Sequence, residues 1–296
     1  MIPNYPQFKP ILIEDIEIIK KHLALFSRKI CELNLANLMV WQDFDRPQFT
    51  IINDNLCILV NNLNEKPYFL EPLGNNKLEE TVNICLKHVD KLSRVSESFI
   101  SLIPQHKYNI KCLRSQGDYI YETETLANLK GKKYDGKRNH IKRFIRKFPE
   151  YNYVKMDAGL QEQALDLFEQ WFEAKEKVKS FHKLSYLSQR KALEMAFSHF
   201  KKLDLDGGAL MTNEGMKGFM ISSPLSNNMT SIHFSYTDVT VQGSSQILLW
   251  EGCNKTFNKY KYINLEQDVG ISGLRKSKLS YHPLKLERKF EITAKN

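Results

Sequence analysis

Three stretches of the 296-residue chain hold residue types whose spacing could do chemistry. Between Lys130 and Lys147 stand nine basic residues and one acid, Asp135. Read as a helix, this stretch puts Ile141, Phe144, Ile145 and Phe148 on one stripe and Arg138, Lys142 and Arg146 along another. Such a face could follow a phosphate backbone, with Lys137, Asn139 and Arg143 beside it. Gly131 and Gly136 bracket Lys132 and Lys133, a basic turn able to wrap a phosphate before a helix start. A merely solvated basic helix accounts for the stretch equally well.

The second stretch is Ser231 to Asp238, whose alternation sets Ile232, Phe234 and Tyr236 against His233, Ser235 and Thr237. Attack of an amine on an ester or thioester needs a base and an acid, and the candidates are His233 or Asp238 as base or amine-orienting group and Tyr236 as acid. Gln242-Gly243-Ser244-Ser245 follows, a turn whose backbone N–H groups could meet a pyrophosphate. An ordinary helix start capped by Ser244 or Ser245, and a purely structural His233, are the plainer readings. In the third stretch, Ile263 to Pro283, Arg275 and Lys278 lie one helical turn apart and could converge on one anion, or else join Glu266 and Asp268 in a salt-bridge network.

The elements that must position these groups follow from periodicity. Ile16, Ile19, Leu23, Phe26 and Ile30 predict a helix over 13–30, followed by an antiparallel meander (49–52, 56–60, 68–70), a helix over 78–89, and extended runs at 98–103 and 108–113. Pro149 breaks the basic helix and places a domain boundary there, giving domains 1–149 and 150–296. After it come an extended run (153–156), two amphipathic helices, strand-like runs at 209–212, 217–222 and 230–237, a helix from about 244 to 260, and a strand at 262–265. The second half repeats the element order of the first, so the expected fold is α/β in two copies of one plan.

Composition bounds the rest. Hydrophobic residues at 42% and charged residues at 26% describe a globular chain. No apolar run approaches the roughly 18 residues of a membrane span, and the first residues lack a secretory pattern, so the expected compartment is the cytoplasm. The net charge of +9 is concentrated in 130–147 and in 275–289, and the remainder is net acidic. That suits RNA, a phosphorylated cofactor or an anionic membrane surface. Cys31, Cys57, Cys85, Cys112 and Cys253 include no C-x-x-C pair and read as reduced, with no metal site expected. Serine-hydrolase elbows, Walker A loops, G-x-G-x-x-G and zinc signatures are absent.

Gly273-Leu274-Arg275, Lys278, Tyr281 and Pro283, preceded by Asn264-Leu265 and Gly270, together with the basic 130–147 segment, resemble the phosphatidylglycerol lysyltransferase C-terminal domain family over most of 120–285. The resemblance implies a tandem GNAT fold, each half a mostly antiparallel mixed sheet flanked by helices. It also implies transfer of an aminoacyl group from tRNA to a lipid head group, as in the lysyltransferases, or to peptidoglycan precursors, as in related transferases. Where the family's strand carries an Asp and, three residues on, an Arg, this chain has His233 and Tyr236.

The sequence thus points to an acyl or aminoacyl transferase with no permanently bound cofactor. Aminoacyl-tRNA or acyl-CoA would be its co-substrate, and a lipid, peptide or small amine its acceptor. Peripheral membrane contact fits the same basic face. The alternative is a non-catalytic tandem-GNAT module that binds RNA or an anionic membrane surface.

Overall fold

The structure, a computed structural model, describes residues 1–25, 29–176 and 183–295. It divides into two compact units. The first comprises 1–119, 266–276 and 285–296, and the second 120–265 and 277–284. This departs from the division expected after residue 149, because each sheet recruits a strand from a distant part of the chain. The C-terminal strand Lys289–Ala294 inserts between Leu92–Ser96 and Tyr108–Cys112 in the first unit. In the second, Ile120–Glu122 pair antiparallel with Tyr262–Asn264. The basic helix Asp135–Lys147 therefore belongs to the second unit.

In the first unit the sheet runs Lys9–Pro10, Gln48–Ile52, Asn55–Val60, Tyr68–Phe69, Leu92–Ser96, Lys289–Ala294, Tyr108–Cys112. The expected meander is present, and Asn55–Val60 is buried throughout. The helix Leu78–His88 carries Glu79 and Glu80 in its first turn and Lys87 and His88 in its last, matching its dipole. It buries Val82 and Cys85 against Phe69, Leu92, Val95 and Ile292. The helix expected over 13–30 spans Ile16–Ala24, and Phe26 lies outside the described residues. The run 98–103, expected extended, instead opens with the short helix Glu97–Ile100, because the Ser96 hydroxyl caps it by accepting from Phe99 N at 3.2 Å.

The second unit has the same plan. Its sheet includes, in order, Asp118–Glu122, Tyr262–Asn264, Met229–Thr237, Gly215–Ser226, Asp206–Thr212 and Asn152–Lys155. Helices Gln161–Glu176 and Lys183–Ser198 were expected from their apolar stripes. Phe168, Phe219, Phe234, Phe257 and Ile263 are fully buried in its core. Each unit contains an antiparallel hairpin, a helix, and a strand returning parallel to the hairpin's second strand. Phe69 faces Leu92 in the first unit, and Met229 to Ser231 face Tyr262 to Asn264 in the second. This is a tandem GNAT-like α/β fold.

Candidate active site

Strand Met229–Thr237 is paired on one side with Gly215–Ser226 over its whole length, but on the other side its ladder with Tyr262–Asn264 ends at Ser231. Beyond that residue the two parallel strands part. The break coincides with an irregularity on the opposite edge, where Ile221 faces Phe234 while Ser222 faces Ile232. His233 is thus the extra residue of a β-bulge, a device that re-aims a side chain out of the regular pleat. Its Nε2 shares a 2.7 Å hydrogen bond with Ser223 Oγ, and the residue is half-buried.

The other catalytic candidates have different surroundings. Tyr236 is buried among Phe168, Trp171 and Phe219, and its hydroxyl donates to Gln189 Oε1 at 2.8 Å. Burial pushes this phenol well above its ordinary range, so it holds its proton. Asp238 accepts from Thr240 N at 2.9 Å and Thr240 Oγ1 at 2.6 Å and pairs with Lys217 at 3.4 Å. Burial alone would raise its carboxyl, but these bonds hold it below the usual carboxylate range. The three candidates therefore have three separate sets of partners.

In the turn after the strand, Gly243 rather than a serine is the N-cap of helix Ser244–Lys255, and no side chain caps it. Gly243 sits at φ 92°, and a Cβ there would lie 2.2 Å from the His140 carbonyl oxygen. The packing of the basic helix against this helix thus demands the glycine. Ser244 is buried and donates to Asp238 O at 3.1 Å, whereas Gln242 and Ser245 are exposed.

The basic residues divide into two groups. Lys132, Lys133, Asn139, Lys142 and Arg143 are exposed, as are Arg146 and Lys147. Lys137 donates to Ser280 Oγ at 2.6 Å and lies 3.8 Å over the Tyr281 ring, and burial lowers its pKa. Arg138 turns back onto the carbonyls of Leu129 and Gly131 and onto Asp135. It closes the C-terminal end of helix Thr123–Asn128 and does not stack with Lys142 and Arg146 along a phosphate-facing row.

Arg275 and Lys278 are each committed to a separate partner. Arg275 grips Asp268 with two bonds, Nε to Oδ2 at 2.8 Å and Nη2 to Oδ1 at 2.9 Å. That fully buried carboxylate also accepts from Tyr119 OH at 2.7 Å, Gly270 N at 2.9 Å and Arg114 Nη1 at 3.2 Å. Burial would raise its pKa, yet the donors, Arg275 foremost, hold it well below the ordinary value. Lys278 donates to the Leu265 carbonyl at 2.5 Å. The salt-bridge reading of this stretch therefore accounts for Arg275 and Asp268.

One charged centre has no counterpart in the sequence reading. Lys289, counted above in the second basic patch, is completely buried in the first unit. Its Nζ lies 2.7 Å from Asp118 Oδ1, 2.5 Å from Glu32 Oε2 and 3.5 Å from Cys31 Sγ. Cys31, Glu32 and Asp118 stand close enough to share a metal ion. The ammonium already supplies the cation there, and burial with the adjacent Asp118 and Glu32 pushes the thiol far up and keeps it protonated. Beside this centre, Glu71 accepts from Ser96 N at 2.6 Å, and burial raises its carboxyl to about 7. The only signal in the sequence is an acid directly after the apolar strand Tyr68-Phe69-Leu70.

Among the described residues no helix is long and apolar enough to cross a membrane. A conserved protein of unknown function from Bacteroides thetaiotaomicron matches with a TM-score of 0.87 and 30% identity, covering 100% of both chains. L-PGS from Bacillus licheniformis shares the fold, with a TM-score of 0.63 and 16% identity over 95% of this chain and 92% of that one. An uncharacterized protein of Mycoplasmoides gallisepticum is 26% identical over 227 residues, 74% of this chain and 68% of the relative. The family model described as phosphatidylglycerol lysyltransferase, C-terminal, matches residues 23–293. The chain therefore belongs to the phosphatidylglycerol lysyltransferase C-terminal domain family and has its acyltransferase-like fold.

Proposed function

We propose that the chain transfers an aminoacyl group from aminoacyl-tRNA to an amine or hydroxyl acceptor, with the second unit carrying the chemistry. The observation that carries this reading is the coincidence of the strand divergence at Ser231 with the bulge at His233. The acceptor's nucleophile attacks the ester carbonyl, the bond from carbonyl carbon to ribose oxygen breaks, and a proton passes from nucleophile to leaving oxygen. His233, oriented by Ser223, is the group assigned to relay that proton. Tyr236 and Asp238 are assigned to the frame around it, and Arg275 and Lys278 to holding the turn after the last strand.

Donor binding falls to the exposed cations Lys132, Lys133, Lys142 and Arg143, with Asn139 beside them. The helix bearing Lys142 and Arg143 packs on helix Ser244–Lys255 at Gly243, so a polyanion running along it would end near the N-terminus of that helix. Acyl-CoA would use the same turn, Gln242 to Ser245, and is the competing donor. The family's name supports a lipid acceptor.

Filter binding of aminoacyl-tRNA across a salt series, with CoA as competitor, tests the donor. The Lys142→Ala, Arg143→Ala double variant should flatten the log–log salt slope by about 2, roughly one per lost phosphate contact. A slope equal to that of the parent removes these residues from donor binding. Displacement by CoA makes acyl-CoA the donor. Tight binding without transfer to any amine or hydroxyl acceptor, in parent and His233→Gln alike, leaves an RNA-binding module.

A further inference from the structure

Helix Ser244–Lys255 has a second end. About 18 Å from Gly243, at roughly 1.5 Å per residue, its C-terminal turn borders a cleft with a cavity volume of about 450 Å³. The cleft lies wholly within the second unit, and that size is typical of small-molecule sites. Nothing in the transfer reading uses it.

Thr123 lines this cleft, is only 4% exposed, and its hydroxyl oxygen has no hydrogen-bond partner among the described residues. A buried hydroxyl left unpaired is costly, and here it borders an open cavity. The remaining lining carries both signs of charge. Glu122 and Glu124 supply carboxylates, and the helix C-terminus adds its partial negative charge. Asn254 commits its amide nitrogen to Trp250 O and Ala127 O, and Asn258 commits its own to Asn254 O, so what each has left to offer is an acceptor oxygen. Against these stand Lys259, whose ammonium donates to Asp206 Oδ2 at 2.8 Å, and the exposed Lys261.

A purely anionic ligand would meet Glu122 and Glu124, and a purely cationic one would meet Lys259 and Lys261. A small molecule carrying an ammonium and a carboxylate satisfies both. We propose that this cleft binds a free α-amino acid. Its ammonium lies toward Glu122, Glu124 and the asparagine oxygens, its carboxylate toward Lys261, and one of its polar atoms meets the Thr123 hydroxyl. This site is independent of the transfer reading and separate from it.

Titration calorimetry of the full chain against the α-amino acids tests the assignment, with each binder compared with its decarboxylated amine and its desamino acid. At least one amino acid should bind, and both analogues should bind more weakly. Thr123→Val, which replaces the hydroxyl by a methyl of similar size, should weaken binding about fivefold while leaving the unfolding temperature unchanged or higher. Lys261→Ala should weaken binding of the amino acid but not of the amine, and Glu124→Gln binding of the amino acid but not of the desamino acid. No heat with any amino acid at millimolar concentration overturns the proposal, as does binding unchanged in both Thr123→Val and Lys261→Ala.

Discussion

Glu71 gives the structure its sharpest pH dependence. Its carboxylate accepts the Ser96 N–H, and burial, with Glu32 and Glu287 adding to it, lifts the pKa from 4.5 to about 7. The folded protein therefore keeps a proton that the unfolded chain has released. Between pH about 4.5 and 7 the unfolded state binds fewer protons than the folded one, so stability from this group falls as pH rises. The contribution is complete below the unfolded value and gone above the folded one. At about 1.4 kcal/mol per pH unit the loss reaches a ceiling of about 3 kcal/mol, reduced by the residue's partial contact with solvent. Glu71→Gln retains an acceptor for Ser96 and cannot ionise. Urea unfolding of parent and variant should show the variant gaining steadily on the parent from pH 4.5 to 7, with a constant gap above that range. A gap independent of pH, or one that closes as pH rises, refutes the reasoning.

Two further perturbations follow from the geometry. Gly243→Ala puts a Cβ 2.2 Å from the His140 carbonyl in a left-handed conformation and should cost at least about 1–3 kcal/mol. A lowered unfolding temperature together with weaker RNA binding would show the basic helix displaced. Arg275→Ala leaves Asp268 with Tyr119, Arg114 and the Gly270 N–H and should cost about 1.5 kcal/mol, the low end for a charged hydrogen bond, because the guanidinium is partly exposed. A depressed carboxyl stabilises above its unfolded pKa and loses that contribution as pH falls through the folded value. The acid limb of the stability profile should therefore move to higher pH in Arg275→Ala, and an unmoved limb would deny Arg275 its hold on Asp268.

Long amphipathic helices and the two meanders were legible in the sequence because their apolar periodicity is local. The basic helix Asp135–Lys147 and the strand Met229–Thr237 were expected nearly to their observed bounds. What was not legible depends on partners far away in the chain. Lys289 reads as one more cation of a basic run, and only its placement beside Glu32 and Asp118 buries it. Arg138 lies at helical spacing from Lys142, yet the carbonyls left open at the end of helix Thr123–Asn128 draw it away. The unit boundary was misplaced because Pro149 ends a helix without ending a fold. Sheet membership, set by Ile120–Glu122 and Lys289–Ala294, decides the units.

The repeated plan also bears on which unit does the chemistry. Both units part a pair of parallel strands beside a connecting helix, but the two openings are treated differently. In the first unit the strands share only the Phe69–Leu92 pairing, and the Ser96 N–H beyond it is occupied by the chain's own Glu71 carboxylate. An acceptor side chain thus stands where a substrate carbonyl would have to bind. In the second unit the equivalent strand carries a bulge at its point of divergence, and a half-buried histidine is the residue it displaces. A bulge interrupts the ladder and leaves the extra residue outside it, so keeping one at that position costs stability that a purely structural sheet would not spend. If His233 were only a satisfied structural histidine, His233→Gln, which can still bond Ser223, should leave both stability and transfer intact. Loss of transfer with stability unchanged would place the chemistry at the bulge, and equal transfer in the two proteins would remove it from there.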